Sequence, residues 1–138
     1  MEKKFKIGID IHGVADAKPD FFKAFTKLLV DNGWEVHLIT GAKRDLEEKT
    51  IKEIGISYTH FFSITDYHIG LGTEIRWDEK GEPHLDPYLW DRTKAEYCER
   101  VGIDMHIDDS DIYQYFFKTP YARFYTKDSH RIRKTKLQ

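Results

Sequence analysis

Four groups of residues in this chain are of types that attack, neutralise charge or carry protons. Asp10 and His12 stand in the run Asp10-Ile11-His12-Gly13-Val14, Thr40 is followed by Gly41, Lys94 stands alone, and Asp108-Asp109 form an acidic pair. Carboxylates and imidazoles can attack or move protons, hydroxyls and glycine amides can bond an anionic oxygen, and a lysine can offset negative charge. Each group alone also has a structural explanation, because Asp commonly caps a helix or opens a turn. Their placement sets them apart. Asp10, Thr40 and the acidic pair each close a short apolar run, where the strands of an open parallel sheet present side chains to a ligand.

The elements that must do this positioning are legible in outline. Residues 5–11 and 34–41 are short, apolar and rich in β-branched side chains, and between them Pro19 opens a stretch with Phe21, Phe22, Phe25, Leu28 and Leu29 at helical spacing, closed by Asn32-Gly33. A second helix is expected over 43–54, stopped by Gly55, and a third strand over 58–65. This β-α-β-α-β alternation predicts an α/β chain, a three-layer Rossmann-like parallel sheet with crossover helices. Residues 66–90 break the rhythm and read as a flap on the core, with a small β-hairpin over 74–85 turning at Gly81. A helix over 91–101 capped by Asp91, a strand over 103–109, a short helix over 110–117 and a strand over 122–126 complete the expected domain, which takes in the whole of 1–138. Residues 128–138 read as a mobile basic tail.

Bulk properties narrow the function classes. With 138 residues, 40% of them hydrophobic and 14% aromatic, the chain is long enough for one core without disulfide or metal staples. A net charge of -2 provides no basic field for non-specific nucleic-acid binding. Cys98 is the lone cysteine, no apolar run approaches the length of a membrane span, and the first residues do not read as a signal peptide. A cytoplasmic location with no membrane partner is the expectation.

The ordered set of Asp10-Ile11-His12-Gly13-Val14, Thr40-Gly41, Lys94 and Asp108-Asp109 resembles the four motifs of the haloacid-dehalogenase-like superfamily, over residues 5 to about 126. The resemblance implies that Asp10 is a nucleophile, transiently phosphorylated, and that Mg²⁺ is held by Asp10, by the backbone carbonyl of His12 and by Asp108 or Asp109. It implies that Thr40 and Gly41 bond the phosphoryl oxygens and that Lys94 offsets charge, with Lys43 as its rival. The small deoxyribonucleotidase-like members look similar in size and in the Asp-Asp ending, so the implied substrate is a small phosphate ester, first of all a nucleotide.

The departure from that pattern is His12, where phosphatases of the family usually carry a second Asp as acid and base. Imidazole can do both jobs, so the first expectation is a phosphomonoesterase. The alternative is a binding module that kept phosphate recognition and lost turnover. A third reading makes the flap an interaction surface. The phosphonate-cleaving branch needs a cap after the first motif that the short link to Pro19 does not provide, and the metal-free dehalogenating branch leaves Asp108-Asp109 unexplained. Within the flap, Tyr67, His68, Arg76, Trp77 and His84 are either substrate contacts or cross-strand pairs. Cys98 reads as a buried structural thiol, and His37, His60 and His106 as packing or polar core residues without zinc-like spacing.

Overall fold

The computed structural model describes residues 3–127; the tail expected over 128–138 lies outside the described residues. Strand β1 (Lys6–Ile9) leads through a wide turn at Ile11–Ala15 into helix α1 (Pro19–Asp31), which has Pro19 in its first turn, where a missing N–H leaves no bond unmade. Strand β2 (Glu35–Thr40) follows, then α2 (Arg44–Ile54), β3 (His60–Ser63) and α3 (Ile64–Leu71). A two-stranded antiparallel ribbon, β4 (Arg76–Trp77) and β5 (Pro83–His84), separates these from α4 (Pro87–Val101), β6 (Met105–Asp108) and β7 (Tyr121–Arg123).

The main sheet has the order β3–β2–β1–β6–β7, and every neighbouring pair is parallel. The chain winds outward from β1 to β3 and then crosses to β6 on the other side of β1. Strand order therefore reverses between β1 and β6, which opens a crevice beyond their carboxyl ends. Helices cover both faces, as a parallel sheet requires. Ile7, Ile9, Val36 and Leu38 pack with Phe22 and Leu29 of α1 and Ile51 and Ile54 of α2. Ile39 and Phe62 pack with Ile64 of α3 and with Tyr97 and Cys98 of α4. Because side chains alternate along a strand, Thr40 joins the α1/α2 layer while Asp10, Asp108, His37 and His106 join the α4 layer.

Three sequence expectations change. Residues 64–71, expected to end the third strand and open the flap, form α3, whose first turn is capped by Ser63 accepting from the Asp66 amide at 3.0 Å; the Ser-x-x-Asp spacing is the capping-box signature. The ribbon is correspondingly shorter than the 66–90 flap. Helix α4 starts at Pro87 instead of 91, with Asp86 and not Asp91 as its cap, accepting from the Tyr88 amide at 2.8 Å. Lys94 therefore lies two turns inside the helix. Among the described residues, no helix is long and apolar enough to cross a membrane.

Candidate active site

Asp10 follows β1 directly and Asp108 ends β6, so the reversal of strand order sets their carboxylates side by side on the face that α4 covers. Lys94 reaches down from α4 between them, 3.0 Å from Asp10 Oδ1 and 2.8 Å from Asp108 Oδ2. All three are buried, Lys94 to within 2%. A buried ammonium persists only when paired and hydrogen-bonded. Burial works against the Lys94 charge, but Asp10 and Asp108 outweigh it and hold the amine well above the ordinary lysine value.

Asp108 is the most firmly held of the acids. His106 Nε2 donates to its Oδ2 at 2.9 Å and the Ser110 amide to its Oδ1 at 3.0 Å. Burial pushes its pKa up, yet Lys94 and His106 more than reverse this and keep it below the usual carboxylate range. His106 lies opposite Gly8 in the parallel register, and a Cβ on residue 8 would come within 2.6 Å of its Nδ1. Gly8 is thus the vacancy that lets a buried histidine reach Asp108, and His106 is a polar core residue that belongs to the site.

Asp109 comes in over the wide turn after β1. Gly13 at its centre has φ 86, which favours glycine, and a side chain there would overlap the Asp109 carboxylate. Asp10, Asp108 and Asp109 offer oxygens within 4.8 Å of one another. Burial, then Asp108, raises Asp10 well above the ordinary carboxylate value, with Lys94 opposing, and burial and Asp108 raise Asp109 likewise. One lysine does not balance three carboxylates. Protonation or a cation relieves the excess, and an oxygen-only donor set suits a hard divalent ion.

The second motif is tied to the first by a residue that the sequence reading passed over. Glu47 of α2 is buried, accepts from Thr40 Oγ1 at 3.1 Å with one oxygen and lies 2.7 Å from His12 Nε2 with the other. A signal for it exists. Glu47, Ile51 and Ile54 share the spacing of the buried helical stripe, which an acid occupies only for a reason. His12 Nδ1 lies 3.0 Å from Asp16, whose other oxygen accepts from the Gly13 amide at 2.7 Å. The bond to Glu47 outweighs burial and, with Asp16, lifts His12 to about 9, so the imidazole is cationic at neutral pH.

Asp10, His12, Thr40, Lys94, Asp108 and Asp109 line one cavity of about 470 Å³, which also takes in Gly41, Thr65, Trp90, Tyr113 and the ribbon's Pro83. Asp10, His12, Thr40, Gly41, Lys94, Asp108 and Asp109 are therefore brought together. Arg76 is not: it is exposed and lines a separate groove with His84 and Leu89. Lys43 also stays outside, its Nζ 5.8 Å from the Trp77 ring, so Lys94 is the lysine in contact with the carboxylates. Tyr67 and His68 belong to α3. His68 is buried between the Thr73 and Thr93 hydroxyls, and Tyr67 packs on Phe62. Arg76 pairs across the ribbon with His84, which bonds Asp78 at 2.8 Å. Cys98 is buried, its thiol pushed up to about 12 by burial, as befits a structural cysteine.

A second polar cluster sits at the opposite end of the sheet, where Glu35, His37 and His60 place potential ligand atoms within 4.8 Å. The parallel register sets His37 opposite His60, and their rings stack at 4.2 Å and 4°. Stacked imidazoles keep their in-plane lone pairs in two separate, near-parallel planes, so these do not converge on one ion. Comparison of the chain with protein-family models, with curated proteins and with solved structures returns no match.

Proposed function

We propose that this protein is an Mg²⁺-dependent phosphomonoesterase of the haloacid-dehalogenase-like type, working through a phosphorylated Asp10 on a small phosphate ester such as a nucleotide. The observation that carries this reading is the convergence of Asp10, Asp108, Asp109 and Lys94 at the point where strand order reverses. In this reading Asp10, Asp109 and the His12 backbone carbonyl hold the cation directly, because Lys94, His106 and Ser110 already engage both oxygens of Asp108. The cation, when bound, supplies the charge that lets a phosphate dianion approach a carboxylate. Lys94 holds one oxygen of Asp10 and so fixes the rotation of the carboxylate. Asp10 forms a bond to phosphorus as the ester oxygen leaves, and water then cleaves the acyl phosphate and returns free Asp10. Thr40 is poised to turn its hydroxyl from Glu47 to a phosphoryl oxygen, beside the Gly41 amide.

His12 enters protonated, the state needed to deliver a proton to the leaving oxygen and afterwards to take one from water. Both of its nitrogens face carboxylates, however, so proton transfer requires the ring to turn away from Glu47. That observation favours the second reading, a phosphate-binding module with slow turnover. A phosphatase panel run with Mg²⁺ or EDTA, beside Asp10→Asn and His12→Ala, separates the two. Hydrolysis is expected to vanish in EDTA and in Asp10→Asn, and to fall roughly 10²–10⁴-fold in His12→Ala if the ring carries the proton. Metal-independent activity surviving in Asp10→Asn would overturn the mechanism. Mg²⁺-dependent ligand binding without turnover in the parent protein would establish the binding module.

A further inference from the structure

The mouth of the cavity has a chemistry distinct from its buried end. Trp90 stands one helical turn before Lys94 on the same face of α4, and its indole N–H donates to the Tyr113 hydroxyl at 2.8 Å. The benzo edge of the indole lies against Gly41, where an added Cβ would sit 2.8 Å away. Tyr113 in turn lies under the Lys94 ammonium, 5.0 Å from ring centre to Nζ. An aromatic wall, held in one orientation, therefore runs from the glycine of the second motif to the lysine between the carboxylates.

The charges around that wall are one-sided. Among the described residues, the cavity's only basic side chains are Lys94 and His12, and both already face carboxylates. At the mouth stand Glu82 and Asp111, neither of which meets a cation within ion-pair distance among the described residues. A second anionic group on a ligand would thus lie beside carboxylates, with no free counter-charge in the cavity among the described residues. A flat ring would find Trp90 to stack on, and ring N–H groups would find Glu82 and Asp111 as acceptors.

We propose that the Trp90–Glu82–Asp111 mouth is a leaving-group subsite for a ring-bearing phosphate monoester whose single phosphoryl group is its only anion. This rests on the phosphomonoesterase reading and narrows it: nucleoside monophosphates fit, whereas bisphosphates, phosphorylated acids and polynucleotides do not.

The test compares kcat/KM, with Mg²⁺, on a purine nucleoside 5′-monophosphate, the corresponding 3′,5′-bisphosphate and glycerol phosphate. The monophosphate should exceed the bisphosphate at least about tenfold, since like charges brought together oppose binding. It should exceed glycerol phosphate by roughly 10–100-fold, the range of one base stacked on an aromatic ring. Trp90→Ala should collapse the nucleotide-to-glycerol phosphate ratio, chiefly through KM, and Trp90→Phe should retain much of it. Glu82→Lys and Asp111→Lys, changes at the open mouth, should raise the bisphosphate relative to the monophosphate. Equal rates on monophosphate and bisphosphate, or an unchanged nucleotide-to-glycerol phosphate ratio in Trp90→Ala, would overturn the subsite. If the parent hydrolyses none of the three, the phosphomonoesterase reading fails. Calorimetric binding of the same ligands then decides the subsite: preference for the monophosphate sustains it, and equal or absent binding overturns it.

Discussion

The two ends of the main sheet carry polar clusters of acids and histidines, the amino-end one partly and the carboxyl-end one largely buried, and they differ in how far their charges are answered. At the amino end, His37 is buried with one nitrogen 2.7 Å from the Tyr97 hydroxyl and the other 2.8 Å from Glu35, and His60 bonds Thr59 at 2.8 Å. Burial keeps His37 below its ordinary value, so the ring is neutral, while its bond to Glu35 keeps that acid ionised. At the carboxyl end, Asp10, Asp108 and Asp109 share one lysine. Buried polar groups are normally paired. A cluster that satisfies itself is architecture, and one left with excess charge is a candidate ligand site.

The largest expected effect is on stability. Lys94→Met removes the ammonium that pairs with Asp10 and Asp108 in a buried acidic cluster, and breaking such a pair typically costs about 3–5 kcal/mol. Tyr97→Phe removes a single hydrogen bond at the amino end, an effect of about 0.5–1.5 kcal/mol. Urea unfolding in EDTA measures both. A Lys94→Met protein as stable as Tyr97→Phe would mean that the carboxyl-end charges are as well answered as the amino-end ones, and the comparison would break.

Metal response comes next. Mg²⁺ at about 100 times its dissociation constant should stabilise the parent by about 2.7 kcal/mol through mass action. Asp109→Asn should abolish that gain and, in EDTA, leave the protein at least as stable as the parent, because it removes one of three mutually repelling charges. Glu35→Gln should leave the Mg²⁺ shift in place. A thermal melt of the three proteins with and without Mg²⁺ checks this; a shift lost in Glu35→Gln and kept in Asp109→Asn would move the cation to the wrong end.

Much of this was open to reading from the sequence, for physical reasons that also explain what was not. Apolar runs ending in Asp10, Thr40 and Asp108 mark buried parallel strands, and alternation with helices forces those ends onto one edge. The sequence starts the late helix four residues late, because Asp91 and Asp86 are equally good caps in isolation and only Pro87 at the first turn tells them apart. Glu47 was missed because an acid on a helix is usually solvated, and its depth depends on which way α2 faces the sheet. Trp90 and Tyr113 were missed for a different reason. Their contact joins residues 23 apart in sequence, and no local pattern announces it.

The smallest effect separates the two ends by sign. At the amino end, His37 has a pKa lowered first of all by burial, so the unfolded chain, near 6.5, binds its proton more readily than the folded one. Its contribution to stability is complete above about pH 6.5 and is lost as the pH falls through the folded value. Asp10 and Asp109 behave oppositely. Raised by burial and by Asp108, they take up protons in the folded state before the unfolded chain does, so their penalty eases on acidification from above their folded values toward about 3.9. His12 adds an alkaline limb, because its folded value near 9 gives stability that is full below about pH 6.5 and lost as the pH rises through 9. Melting temperatures from pH 4.5 to pH 9.5 in EDTA should therefore fall more steeply toward acid in Asp109→Asn than in the parent, and less steeply in His37→Gln. Mg²⁺ should remove the difference between parent and Asp109→Asn in shape only by adding its own rising limb to the parent, because protons compete with the cation for the same oxygens. Parallel acid limbs for the parent and both variants would show that neither cluster is poised as described.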